Sequence, residues 1–248
     1  MSSNYMSGTK STIIARLEKE ILPLQSFKNT CQSPVLDMAP GPIKAAFHQN
    51  SFPTGAIHEF IMQRPEDAAA TFGFVGTLLA ALMKTGRQAV WIGRDLAIFP
   101  PSLRNLGVSA DKIIFLELKK EKEILWAAEE ALKCEGLAAV IADTNEFNFT
   151  ASRRLQLAVE QSGVTGFILL NDPRKINITT SVARWKISSL PSQPANGLPG
   201  VGFPRWQIEL LRVRNGKPGS WEVECTGNRI RHVDPIIPFI LPIRRKTG

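Results

Sequence analysis

The sequence predicts an α/β fold, a doubly wound, mainly parallel sheet with an antiparallel C-terminal extension and an N-terminal helix. Two observations carry that prediction. Over residues 56–170, apolar runs of strand length alternate with longer segments whose apolar residues recur at helical spacing, the pattern of a parallel sheet covered by helices on both faces. Beyond Trp185 the period changes to two with no helix between successive runs, and Asn215-Gly216 supplies a hairpin turn signal.

The elements follow in order. Ile13, Leu17 and Ile21 share one stripe, with Ile14 and Leu22 beside it and Arg16, Glu18, Lys19 and Glu20 on the remainder, so an amphipathic helix is expected that ends near Pro23. Pro34, Pro40, Gly41 and Pro42 mark a loop that separates it from everything after it. The body then reads as strand 56–62, helix 67–84, strands 89–92 and 113–116, helix 122–133, strand 138–142, helix 150–161 and strand 165–170. Residues 185–190, 206–214 and 221–225 form the antiparallel extension, with a long Pro/Gly/Ser/Asn loop over 191–204. In the terminal segment, Pro235, Pro238 and Pro242 forbid a helix, while Ile236, Ile237, Phe239, Ile240 and Leu241 need apolar cover and Arg244, Arg245 and Lys246 make a basic tip. The expected organisation is therefore an N-terminal helix and linker over 1–42, a core over 43–226 and a tail over 227–248.

Composition bounds the function. The chain has 248 residues, 44% hydrophobic and 21% charged, enough for a sizeable buried core. Thirty Lys and Arg against 22 Asp and Glu give a net charge of +8, which favours an anionic partner without requiring one. The longest apolar stretch, 72–83, falls short of the roughly 20 residues that cross a bilayer, so no membrane span is expected. The polar N-terminus lacks the pattern of a secretory signal, which leads to the expectation of a cytoplasmic protein. Cys31, Cys134 and Cys225 are too far apart for a zinc cluster and odd in number, so they are expected as buried thiols. His48, His58 and His232 have no ligand spacing, and no metal site is expected.

The place for a nucleotide is the loop between the first strand and the long helix. A phosphate loop there needs Gly for close backbone approach, Lys for the phosphates and Ser or Thr for magnesium. The segment reads Met62-Gln63-Arg64-Pro65-Glu66-Asp67-Ala68-Ala69 and has none of them. Glu66 and Asp67 would set carboxylates against a triphosphate, each pair costing about 3 kcal/mol at about 5 Å and an effective dielectric of about 20. The same acids suit a helix N-terminus, where they complement the macrodipole.

Gly55-Ala56-Ile57-His58-Glu59-Phe60, the segment 106–115 and Ala139-Val140-Ile141-Ala142-Asp143 resemble the RecA ATPase core in the same order, over roughly 43–226. Within that superfamily, 149–158, Gly163-Val164-Thr165-Gly166, Pro204-Arg205-Trp206 and Pro218-Gly219-Ser220-Trp221 resemble the ImuA family, the RecA-like accessory proteins of bacterial error-prone repair and SOS mutagenesis cassettes. The resemblance implies a RecA-like fold. It puts Met62 and Asp67 at the positions of the two phosphate-loop glycines, Ala68 at the lysine and Ala69 at the magnesium-binding hydroxyl. Asp143 falls on the acid that ends the second nucleotide-site strand, and Asp95 on the catalytic glutamate, one methylene shorter. The two DNA-holding loops would be 145–148 and 173–180, both abbreviated.

What remains to act is surface. Arg153 and Arg154 stand in the first turn of a helix, where the dipole disfavours cations, so they either pair with acids or serve an acidic partner or a DNA backbone. Arg174 and Lys175, with Arg184 beyond them, extend a basic strip, and Trp185 is the nearest aromatic for base stacking. Ile13, Leu17 and Ile21, and Ile237, Phe239, Arg244 and Arg245, offer two further faces that dock on their own domain or on another protein. The resemblance implies a non-enzymatic adaptor in translesion synthesis, without cofactor or catalytic residue. Its implied partners are chiefly an ImuB-like homologue of the Y-family polymerases and, second to it, RecA, while the basic residues leave DNA as a further alternative. The alternatives are a residual RecA-like ATPase or DNA-binding protein and a division regulator like SulA.

Overall fold

The computed structural model describes residues 41–95, 100–192, 194, 201–227 and 229–233. In chain order the elements are α1 (Gly41–Ala45), β1 (Ile57–Met62), α2 (Pro65–Leu82), β2 (Gln88–Gly93), α3 (Pro100–Asn105), β3 (Ile113–Glu117), α4 (Glu121–Leu132), β4 (Leu137–Thr144), α5 (Phe149–Ser162), β5 (Thr165–Asn171), β6 (Ala183–Leu190), β7 (Arg205–Val213), β8 (Gly219–Thr226) and β9 (Arg229–His232). Among the described residues the strands form one nine-stranded sheet in the order β3-β2-β4-β5-β1-β6-β7-β8-β9. The first six are parallel and β6 to β9 pair antiparallel, the RecA-like doubly wound sheet with its antiparallel extension.

β1 is apolar except at two positions, so it lies between two cores. Phe60 faces the core under α2, with Phe74, Trp91, Phe167 and Trp185. Ile57 and Ile61 face the core under α4 and α5, with Ile124, Leu132, Leu155 and Val159. Burying such side chains is worth about 1.5–3 kcal/mol each. Trp185, the aromatic nearest the basic strip in sequence, is 0% exposed at the centre of the first core, where it stacks on Phe60 at 6.2 Å and offers no face to a base. Its ring belongs inside because β6 neighbours β1 and is covered by α2. α2 and the turn that continues it to Thr85 are long and apolar enough, by composition, to cross a membrane, contrary to the expectation from 72–83. Two thirds of that window is buried within the molecule, however, as in a core helix.

Two polar residues of β1 are absorbed differently. His58 is sandwiched against Phe52 at 4.5 Å; its Nε2 donates to Pro53 O at 2.7 Å and its Nδ1 accepts from Trp185 Nε1 at 3.3 Å. Glu59, on the opposite face, lies beneath the connection from β5 to β6. That connection must cross β1, and the chain makes it with an extended strap rather than a helix. Asp172 N donates to Met62 O and Val182 N to Ile57 O, both at 2.8 Å, so residues 172–182 run the length of β1.

Two elements fall at or beyond the ends of the expected core. α1 spans the expected boundary at 42, and β9 lies beyond the expected boundary at 226, pairing with β8 from Val223↔His232 to Thr226↔Arg229. Arg229 and Arg231 broke the apolar alternation in this short edge strand, where charge is common because it discourages further pairing. The hairpin at Asn215-Gly216 is present, but the turn runs from Arg214 to Pro218, longer than a two-residue turn. Of the cysteines, Cys225 is buried, its thiol pushed up to about 11 by desolvation, whereas Cys134 is exposed at the end of α4, contrary to expectation. Cys31 lies outside the described residues.

Candidate functional site

The β1–α2 loop sits where the fold would hold a nucleotide. Met62 is the buried last residue of β1, Pro65 opens α2, and Glu66 and Asp67 occupy the first turn. Asp67 does not point at an empty cradle. Its carboxylate is wholly buried and takes a forked contact from Arg64, 2.8 Å from Nη2 and 3.3 Å from Nε, which holds it below the usual carboxylate range. One of the two expected repulsive charges is thus neutralised by a neighbour three residues earlier, and Glu66 alone stays exposed. Ala68 packs against the core and Ala69 is exposed. Neither offers a donor for phosphate or a ligand for magnesium, so these residues do not fit a magnesium–triphosphate group.

Asp95 follows β2, and Asp143 lies near the end of the neighbouring β4. Asp143 is pushed up to about 6, first by burial and then by the charges of Glu121 and Asp95, with Arg94 acting in the opposite sense. Glu121, which the sequence reading did not single out, organises this corner. It accepts from Arg94 Nη2 at 2.6 Å, from Asn145 N at 3.2 Å and from the Thr144 hydroxyl. Its position at the start of α4 was the available signal, because an acid there complements the helix dipole.

The basic residues separate into different environments. α5 starts at Phe149, capped by Asn148 Oδ1 accepting from Ala151 N at 2.9 Å, so Arg153 and Arg154 lie in the second turn rather than the first. The expected dipole penalty is correspondingly smaller, since the effect fades beyond the first turn. Arg154 pairs with Glu129 of α4, whereas Arg153 is exposed and makes no ion pair among the described residues. Arg174 and Lys175 are exposed on the strap. Arg184 does not extend that strip. It is turned inward on Glu59, Nε to Oε2 at 2.6 Å, with its side chain 13% exposed.

Around that pair the strap is fixed by a polar network. Glu59 Oε1 accepts from Ser181 Oγ at 2.6 Å and from the Thr179 hydroxyl. Arg184 Nη2 donates to Asn177 O at 2.6 Å, and Arg212 donates to Thr179 O at 3.1 Å and Ser181 O at 3.0 Å. From the helix side, Thr180 N donates to Ser152 Oγ at 3.1 Å and Asn177 Nδ2 to Phe147 O at 3.1 Å. A single acid in a strand whose other residues are apolar but for His58 was the signal that a buried partner had to exist. Ile13, Leu17, Ile21, Ile237, Phe239, Arg244 and Arg245 all lie outside the described residues.

No family model matches the chain. It is similar to Protein ImuA from two strains of Caulobacter vibrioides, NA1000/CB15N and ATCC 19089/CIP 103742/CB 15. Each is 36% identical over 205 residues, spanning 78% of this chain and 84% of the relative.

Proposed function

The chain belongs to the ImuA family, which ties it to bacterial damage-induced mutagenesis, and from that premise we propose that it is a non-enzymatic adaptor in error-prone translesion synthesis. It binds an ImuB-type polymerase-like subunit, and RecA as a second protein partner, in the cytoplasm at the nucleoid. The observation that carries this reading is the closed β1–α2 loop, in which the Arg64–Asp67 pair and two alanines stand where a phosphate-binding loop needs glycine, lysine and a hydroxyl. What the fold keeps is surface, and the strap and α5 supply exposed cations and apolar side chains for recognition.

The test is co-purification of the folded chain with the ImuB-type subunit at low salt. A stable complex is expected, and absence of association removes the reading. An ATP hydrolysis assay on the same sample should give no turnover above background. Hydrolysis that disappears in Asp143→Ala would move the protein to the enzyme class.

A further inference from the structure

We propose that the outer flank of α5 and the strap beside it form a docking surface for an acidic, amphipathic peptide segment of a partner protein, an inference that deepens the adaptor reading and rests on it. The starting point is apolar exposure. Phe149 and Leu157 on α5 are 57% and 45% exposed, and Ile176 and Ile178 on the strap are 44% and 80% exposed. Phe149, Arg153 and Leu157 follow one another at four-residue spacing, so they line one side of the helix.

Hydrogen bonds place the two segments together. Asn177 is held to Phe147 O, and Thr180 N to Ser152 Oγ, which itself donates to Phe149 O at 2.8 Å. Ile178 lies between the two strap anchors, and Phe149 between the two helix anchors. The apolar residues of the strap therefore adjoin the first turn of α5. Exposed apolar groups gathered in this way are the mark of an interaction surface, whereas scattered ones are not.

Charge then selects the partner. Arg153, Arg174 and Lys175 are exposed and make no ion pair among the described residues, while the acids on these two segments are Glu160 and Asp172. The surface calls for carboxylates interleaved with bulky apolar side chains. A single-stranded nucleic acid would meet the same cations, but its bases stack on aromatic faces. Three of the four apolar side chains here are aliphatic, and Trp185 is inside the core. Aliphatic groups at such exposure gain most from apolar cover. The strap's carbonyls are already held by Arg184 and Arg212 and its hydroxyls by Glu59, so docking need not order it first, which favours affinity.

The probe is a fluorescein-labelled peptide of about 15 residues with Leu at helical spacing and Glu elsewhere, set against its Lys-for-Glu counterpart and a labelled oligothymidylate. Fluorescence anisotropy should show saturable binding of the acidic peptide only. Binding should weaken about tenfold in a double Ile176→Ser, Ile178→Ser variant, in Leu157→Ser, and in a double Arg174→Glu, Lys175→Glu variant. Thermal melts should match the parent, since every altered side chain is exposed. No saturable binding, wild-type affinity in the Ile and Leu variants, or displacement of the peptide by the oligonucleotide would each overturn the proposal. Failure of the ImuB-type subunit to bind the wild-type chain while the acidic peptide still binds would remove the adaptor reading alone. Capture of that subunit equally by wild type and strap variants would remove the docking surface alone.

Discussion

At the scale of single residues, buried His58 and half-buried Asp143 give opposite responses to acid. His58 is lowered to about 4 from an ordinary value of 6.5, because burial between Phe52 and Trp185 disfavours the imidazolium more than its bond to Pro53 favours it. The unfolded chain therefore takes up a proton that the folded chain refuses. Stability is complete above about pH 6.5 and falls through the window down to about 4, by about 3 kcal/mol in total. Asp143 is raised to about 6, so its ionised form costs stability above that pH, and the cost vanishes as pH falls toward 3.8. Urea denaturation of Asp143→Asn should show a gain of about 3 kcal/mol at pH 7.5 that largely disappears near pH 4. In His58→Asn, the loss measured at pH 7.5 should shrink at pH 4.5, because the variant lacks the group that unfolding protonates. Parallel curves for wild type and variant across that window would contradict either account.

At the scale of elements, the strap depends on one ion pair. Glu59→Leu would leave Arg184, 13% exposed, without its counter-charge, and removing one member of a buried pair typically costs about 3–5 kcal/mol. Hydrogen exchange should localise the damage. The Asp172, Thr180 and Val182 amides should lose protection ahead of β4, and trypsin should cut after Arg174 and Lys175 faster than in the parent. The β7–β8 hairpin offers a second test, because its tip rests on the chain that follows α1, Lys217 N donating to Ala46 O at 2.8 Å. A side chain at Gly216 would run into that backbone carbonyl, so Gly216→Ala should lower the melting temperature, by about 2 kcal/mol in stability terms. The contrast between these two elements explains what the sequence made legible. The strand and helix periods of β1, α2, β4, α5 and β5 are repetitive local signals, and the structure reproduces those elements with shifts of only a few residues. The strap has no period. Its hold comes largely from Glu59 and Arg184, 125 positions apart, and an arginine without a nearby acid in sequence reads by default as solvated. β9 escaped for a similar reason, since Arg229 and Arg231 hide a strand whose single buried residue is Ile230.

At the scale of the whole molecule, the RecA-like sheet is intact while the loop at the end of β1 is closed by its own ion pair. Isothermal titration of magnesium–ATP should accordingly give no saturable heat at millimolar nucleotide, and Arg64→Gly with Asp67→Gly should not create binding, because Ala68 and Ala69 still supply no ligand. The candidate site was half legible. The missing lysine and hydroxyl could be read directly from Ala68 and Ala69, but the forked Arg64–Asp67 contact needed the geometry of the first turn of α2. The strap also fixes when the recognition surface can exist. Asn177 to Ser181 are held by groups from β1, β6, α5 and β7, the last of them Arg212. A nascent chain still threading through the ribosome short of that arginine carries the arginines and isoleucines of the proposed surface but not the whole scaffold that arrays them, so that surface is complete only after synthesis has passed the seventh strand.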